Sequence, residues 1–271
     1  LENKPFTYVL NSKITSLNFL DTVKHIKHWV NTGEKRKYVC VCNTHSLVTA
    51  SNDETFNKAL DSADICTPDG MPLVWALKMF GFKMQDRVDG PNLMLKLCEE
   101  AEENNYKIYL YGGTEDTLIR LKKKLRELYP NINIVGSYSP PFRDLSNEER
   151  AEIAYKINEV KADFVFVSLG CPKQEKWMYE NTLDINSVLL GVGAAFNFII
   201  GDIKRPPMFI RKLGFEWLFR LISEPRRLWK RYLVNNTLYI YKFSKTYTKN
   251  KKRNQLKNYL PSKVIEVDKN E

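Results

Sequence analysis

At 271 residues, with 43% hydrophobic and 27% charged side chains, the chain has the composition of a folded protein of one large domain plus an appendage. Five cysteines (Cys40, Cys42, Cys66, Cys98, Cys171) without a CxxC argue against a disulfide scaffold, and three histidines (His25, His28, His45) with no ligand spacing argue against a protein-ligated zinc site. The net charge of +10 arises wholly in residues 200–271, which carry +12 against −2 for the remainder, so an anionic partner is expected there.

The opening residues, LENKP, lack the apolar core of a signal peptide and do not begin with Met. Residues 6–17 suggest an N-terminal hairpin. Strands are predicted at 38–42 (YVCVC), 63–67 (ADICT), 107–111 (KIYLY), 132–135 (INIV), 163–168 (DFVFVS) and 187–191 (SVLLG). Helical spacing falls between them, at 20–30, 54–62, 71–80, 91–104, 115–128, 147–159 and 173–180. Near-continuous apolar strands alternating with helices predict an α/β fold, a mainly parallel sheet covered by helices on both faces. The longest uncharged run, residues 185–201, is 17 residues long with two Asn and three Gly, short of the roughly 20 apolar residues of a spanning helix.

After Gly201 the pattern changes. Arg205-Pro206-Pro207 breaks the chain, and helices are predicted at 208–213, 214–222 and 224–241. Trp217, Phe219, Trp229 and Tyr232 interleave with arginines, which suits either a helix at a membrane interface or a helical subdomain packed on the sheet. The expected organisation is an α/β domain over 1–200, a basic helical appendage over 201–245, and a basic, flexible tail over 246–271.

In such a sheet ligands bind beyond the carboxyl ends of the strands. After the first strand, Asn43 is either a ligand-fixing amide or a helix cap, and His45 a base or a structural imidazole. After the second, Asp69 in Pro68-Asp69-Gly70 stands where a general base would stand, and also where an ordinary N-cap would. Arg87 is a candidate phosphate partner or a surface ion pair with Asp86 or Asp89. Gly112-Gly113-Thr114 would let a phosphate approach a helix N-terminus, although neither GxGxxG nor a Walker motif is present and a tight turn explains it too. Gly170, Lys173 and Gln174 follow the fifth strand, with both long side chains expected at the ligand edge and Cys171 expected to pack. Gly193 offers close backbone approach after the sixth. No DxD pair holds a divalent ion, so an anionic leaving group would need Arg, Lys or helix dipoles.

Taken together, Asn43, the run TPDGMPLVW (67–75), RVDG (87–90), YGGT (111–114), SLGCPKQE (168–175) and GVGA (191–194) with Arg205-Pro206-Pro207 resemble the WecG/TagA/CpsF glycosyltransferase family over about residues 38–235. The resemblance implies a Rossmann-like fold and an inverting, metal-independent transfer without a cofactor. In such a reaction a sugar, above all N-acetylmannosamine, moves from a UDP-sugar to an undecaprenyl-diphosphate-linked sugar at the cytoplasmic membrane face, in teichoic-acid or related cell-envelope polysaccharide assembly. It implies Asp69 as general base and Asn43, Arg87 and Gln174 as pocket residues. The chain carries Val41 where the family often has Thr, a difference that bears on the sugar. Arg211, Arg220 and Arg227 are candidates to hold the departing UDP or the lipid diphosphate, and residues 205–245 to meet an anionic membrane surface. The aromatic appendage also points to a homo-oligomer. A nicotinamide oxidoreductase is disfavoured by the missing GxGxxG, and a nucleic-acid-binding module by the absence of any nucleic-acid motif.

Overall fold

Parallel strands alternating with helices are what the computed structural model shows; it describes residues 4–207, 210 and 214–259. The hairpin comes first: β1 (Phe6–Val9) and β2 (Ser12–Thr15) pair antiparallel as a separate two-stranded sheet. The main sheet holds β3 (Lys37–Cys42), β4 (Ile65–Pro68), β5 (Lys107–Gly112), β6 (Asn133–Tyr138), β7 (Phe164–Ser168) and β8 (Val188–Gly191). Their order is β4-β3-β8-β7-β5-β6, and every pairing is parallel. This is an α/β, Rossmann-like arrangement. Its carboxyl edge gathers the loops after β3, β4, β5, β7 and β8.

The apolar runs follow from burial on both faces. Cys40, Cys42, Tyr109, Tyr111, Val165 and Val167 point into one core, while Val39, Ile108, Leu110, Phe164 and Phe166 point into the other. One face is covered by α1 (Phe19–Thr32), α5 (Gly90–Asn104), α6 (Glu115–Leu128) and α9 (Ala195–Ile199). The other is covered by α2 (Thr44–Ala50), α3 (Glu54–Asp61), α4 (Met71–Met79), α7 (Asn147–Glu159) and α8 (Lys173–Asn181). Each fully buried Val, Leu, Ile or Phe contributes about 1.5–3 kcal/mol to holding these layers. Several helices begin on side-chain caps, from Asn18, Asn43, Asp53, Asp89, Thr114 and Ser146, each satisfying an otherwise orphaned amide. Helix α2 has no counterpart among the predicted helices. Its seven residues, THSLVTA, are too few and too β-branched to show a period.

The C-terminal region differs from expectation. Helix α10 (Glu216–Ser223) is followed by α11 (Pro225–Tyr259), a single 35-residue helix about 50 Å long. The helix predicted at 208–213 lies almost wholly outside the described residues. Helix α11 runs past residue 245, where the tail was expected to begin, as far as Tyr259, and residues 226–259 contain neither Gly nor Pro; the rest of the expected tail, 260–271, lies outside the described residues. The far half of the helix is also anchored. Tyr239, Phe243 and Tyr247, spaced four apart, pack in sequence along the helix, with Tyr239 stacked on Phe243, Tyr247 stacked on Phe80 and Phe80 edge-on to Phe243. Buried Asn250 donates from Nδ2 to the Leu10 carbonyl in the hairpin turn at 2.8 Å. Among the described residues no helix is long and apolar enough to cross a membrane.

Candidate functional site

The end of β4 sets the position of Asp69. Its backbone N–H donates to the Cys42 carbonyl at 2.8 Å, which ties the β4 loop to the end of β3. The segment before α5 lies alongside: Val88 N donates to Pro68 O at 3.0 Å, and Thr67 Oγ1 donates to Val88 O at 3.2 Å. Arg87 is thereby delivered to Asp69. Its Nη2 donates to Asp69 Oδ1 at 2.8 Å, and its Nε donates to Oδ1 at 3.2 Å and to the Asp69 carbonyl. Helix α4 takes Gly70 as its N-cap without a side-chain bond, so Asp69 is not a capping residue. Its carboxyl is pushed upward by burial, held back by Arg87, and pushed further up by Asp89 and Glu216.

A cleft opens over this pair, walled by Asn43, Thr44 and His45 at the start of α2 and roofed by α10 and α11. Glu216 comes from α10, its Oε2 accepting from Arg87 Nη1 at 2.6 Å. Trp217 meets Tyr232 with ring centroids 6.1 Å apart, joining α10 to α11. Arg220 reaches the cleft with its guanidinium 5.3 Å from the Phe198 ring centroid. Asn236 Oδ1 accepts from Thr44 Oγ1 at 2.8 Å, and Asn235 Nδ2 lies 3.0 Å from His45 Nδ1. The Asp89 cap of α5 holds Arg205 Nη2 at 2.9 Å, which fixes the strand of chain leading toward α10.

A second cavity lies beyond β5 and β7, lined by Tyr111, Gly113, Arg143, Lys173, Lys176 and Trp177 among others. Trp177 stacks on Tyr111 at 4.2 Å, and the Tyr111 hydroxyl and Trp177 Nε1 are buried without a hydrogen-bond partner. Both rings are core residues, so what the cavity presents to a ligand is its cations, Arg143, Lys173 and Lys176, which suit an anion.

The residues expected at the ligand edge separate into two groups. Asn43, Asp69, Arg87 and Arg220 meet at the first cleft, and Gly113 and Lys173 at the second. Asn43 also caps α2, its Oδ1 accepting from Ser46 N at 3.2 Å. Thr114 is engaged as the cap of α6. Gly112, at φ 108°, is required by packing, since a Cβ there would lie 2.3 Å from the Ser168 carbonyl. Gln174 departs from expectation: it is buried beneath the sheet edge, not pointed at the ligand edge. Its Oε1 accepts from Gly193 N at 3.1 Å, and its Nε2 donates to Glu175 Oε1 at 2.8 Å, so it holds the β8 loop in place. Gly170 precedes the turn into α8 at φ 80°. Cys171 packs, with its Sγ 3.8 Å from Ser46 Oγ. Val41 packs into the core on the α1 side of the sheet. Arg211 lies outside the described residues, as does the side chain of Arg227.

Glu216, Trp217, Tyr232, Asn235 and Asn236 were not anticipated. The sequence does hold a trace of one of them. Between residues 203 and 265 only Glu216 and Glu224 are acidic, in an otherwise strongly basic segment. Among the described residues no three His, Cys, Asp or Glu side chains are grouped so as to hold a metal ion.

The sequence pattern described as Glycosyl transferase WecG/TagA/CpsF family matches residues 7–253. A Bacillus subtilis (strain 168) protein named N-acetylglucosaminyldiphosphoundecaprenol N-acetyl-beta-D-mannosaminyltransferase is 30% identical over 234 residues, 86% of this chain and 86% of its own length. Proteins of the same name from Bacillus spizizenii (strain W23) and Staphylococcus aureus (strain MW2) are 28% and 27% identical, covering 81% and 90% of this chain and 86% and 94% of their own. Since the match runs from the hairpin through the strand-end loops into α11, the chain belongs to the WecG/TagA/CpsF family of glycosyltransferases.

Proposed function

We propose that this glycosyltransferase moves N-acetylmannosamine from a UDP donor to a lipid-diphosphate-linked N-acetylglucosamine, in cell-envelope polysaccharide or teichoic-acid assembly. The relatives' names supply the sugar and the acceptor. The observation that carries the chemistry is a partly buried carboxylate, Asp69, 24% exposed at a strand end inside a cleft. In a single displacement, Asp69 takes the proton of the acceptor hydroxyl as that oxygen bonds to the anomeric carbon. The bond from that carbon to UDP breaks, and its electron pair leaves with the diphosphate. Arg220, with Arg211 and Arg227, meets the charge of the departing group or of the lipid diphosphate. The donor's diphosphate side lies toward the cations of the second cavity, Lys173 among them. No metal or other cofactor takes part in the proposed reaction. The protein works as a peripheral enzyme on the inner face of the bacterial membrane, reached through residues 205–245.

The test is UDP release from a panel of UDP-sugars with a short-chain lipid-diphosphate-N-acetylglucosamine acceptor in EDTA. Release with UDP-N-acetylmannosamine alone is expected. Release with another UDP-sugar alone would overturn the donor, and Val41 would be the first residue to exchange. Asp69→Asn should lower kcat by about 10²–10⁴-fold, and wild-type turnover from that folded variant would remove Asp69 from the role of base.

A further inference from the structure

Arg87 lies between two carboxylates that come from distant parts of the chain. Its Nε and Nη2 face Asp69, and its Nη1 faces Glu216 at 2.6 Å. All three side chains are largely withdrawn from water, at 24% exposure for Asp69, 18% for Arg87 and 15% for Glu216. Their mutual charges are therefore poorly screened. Glu216 stands in the first turn of α10, where an acid favours the helix dipole, yet α10 has no side-chain cap bond and the carboxylate is turned to Arg87.

We infer that Glu216 is a positioning residue for the transfer: by drawing one end of the Arg87 guanidinium to itself, it relieves Asp69 of a full counter-charge, so that seating α10 over the cleft makes Asp69 a competent base. The inference rests on Asp69 being the base. A carboxylate paired one-to-one with a guanidinium is a weak proton acceptor, because protonation discards the ion pair. With two carboxylates on one guanidinium the group carries a net negative charge, and one proton is accepted more readily. The segment that closes the cleft thereby also sets the basicity of the residue beneath it.

Other groups surround Asp69. Asp89, at the start of α5, also pushes its carboxyl up, but it is held by Arg205 at 2.9 Å and belongs to the sheet domain, so its influence does not depend on the roof. His45 on α2 lies 3.0 Å from Asn235 of α11. Arg220 of α10 and Tyr232 of α11 line the same cleft, and neither is bonded to Asp69 or Arg87. Glu216 is thus the carboxylate that arrives with the roof and contacts the cation of the base.

The experiment is the pH dependence of kcat for the full chain, comparing the parent with Glu216→Gln, Glu216→Asp and Asp69→Asn below the lowest melting temperature among them. With Glu216→Gln the guanidinium belongs to Asp69 alone. The acid limb should move to lower pH by about one unit, and the plateau kcat should fall about three- to tenfold. Glu216→Asp keeps the charge and should keep the acid limb near that of the parent. A Glu216→Gln enzyme that loses activity, or gains KM, with its acid limb unmoved would reduce Glu216 to a structural tie and overturn the inference. Asp69→Asn separates the two failures. If it turns over like the parent, the reading of Asp69 as base falls and this inference with it. If it is crippled and the Glu216→Gln limb is still unmoved, the inference alone falls.

Discussion

Glu175 illustrates what a single side chain can impose. It is buried next to Gln174, one carboxylate oxygen bonded to that amide and the other without a partner. Burial, set against the Gln174 hydrogen bond, pushes its carboxyl up to about 7, well above the ordinary carboxylate range. The folded state therefore keeps a proton that the unfolded chain has released. Stability from this group is present at low pH and is lost as pH rises from about 4.5 through 7, about 3 kcal/mol in all. Glu175→Gln removes that loss. Urea midpoints at pH 5 and pH 8 should show the variant gaining on the parent as pH rises, and a gap equal at both values would refute the buried-carboxyl assignment. Gln174 gains meaning from the same geometry. It resembles a ligand-edge residue in sequence, but its two amide ends bond Gly193 and Glu175, so its influence on the cleft passes through the β8 loop.

At the scale of elements, the sheet was legible in the sequence because each strand is buried on both faces. Such a strand reads as an unbroken apolar run, as 164–167 does with Phe164 and Phe166 in one core and Val165 and Val167 in the other. The carboxyl-edge loops followed from strand direction, which is how Asn43, Asp69, Arg87 and Lys173 came into view. The roof was not legible in the same way. Glu216 and Asn236 meet Arg87 and Thr44 from 129 and 192 residues away, and no local period encodes a contact at that separation. The part of α11 beyond residue 245 reads as tail because basic residues run through it, while its anchors there are two residues, Tyr247 and Asn250. Those anchors are testable. Asn250→Ala strands the Leu10 carbonyl and should cost about 1–3 kcal/mol, seen as a lower melting temperature and faster hydrogen exchange at β1 and β2. Unchanged exchange in the hairpin would mean that the helix end does not brace it.

For the whole molecule, the excess positive charge coincides with a run of exposed apolar side chains. The basic final quarter also carries Phe215, Ile222, Trp229, Leu233, Ile240 and Tyr241 at the surface. An arrangement of this kind gains both from burying aromatics in a lipid interface and from attraction to anionic headgroups. The full chain should sediment with vesicles containing anionic phospholipid and release as salt rises. Replacing Trp229 and Ile222 by Ser should weaken sedimentation even at low salt. Binding insensitive to both changes would turn attention to self-association through the same face.

The long helix also sets an order of events in biosynthesis. The β-sheet is complete at Gly191, and the carboxylate at the end of β4 is in place by then. The pocket above it gains Glu216, Tyr232 and Asn236 only when residues far down the chain have been made, and α11 is braced only once Asn250 meets the hairpin. Because domains fold from the N-terminus as they are synthesised, a ribosome-bound chain passes through a stage with an ordered sheet and an uncovered reaction centre. A chain that stops before α10 lacks Glu216, Tyr232 and Asn236 from the cleft and should show no transferase activity.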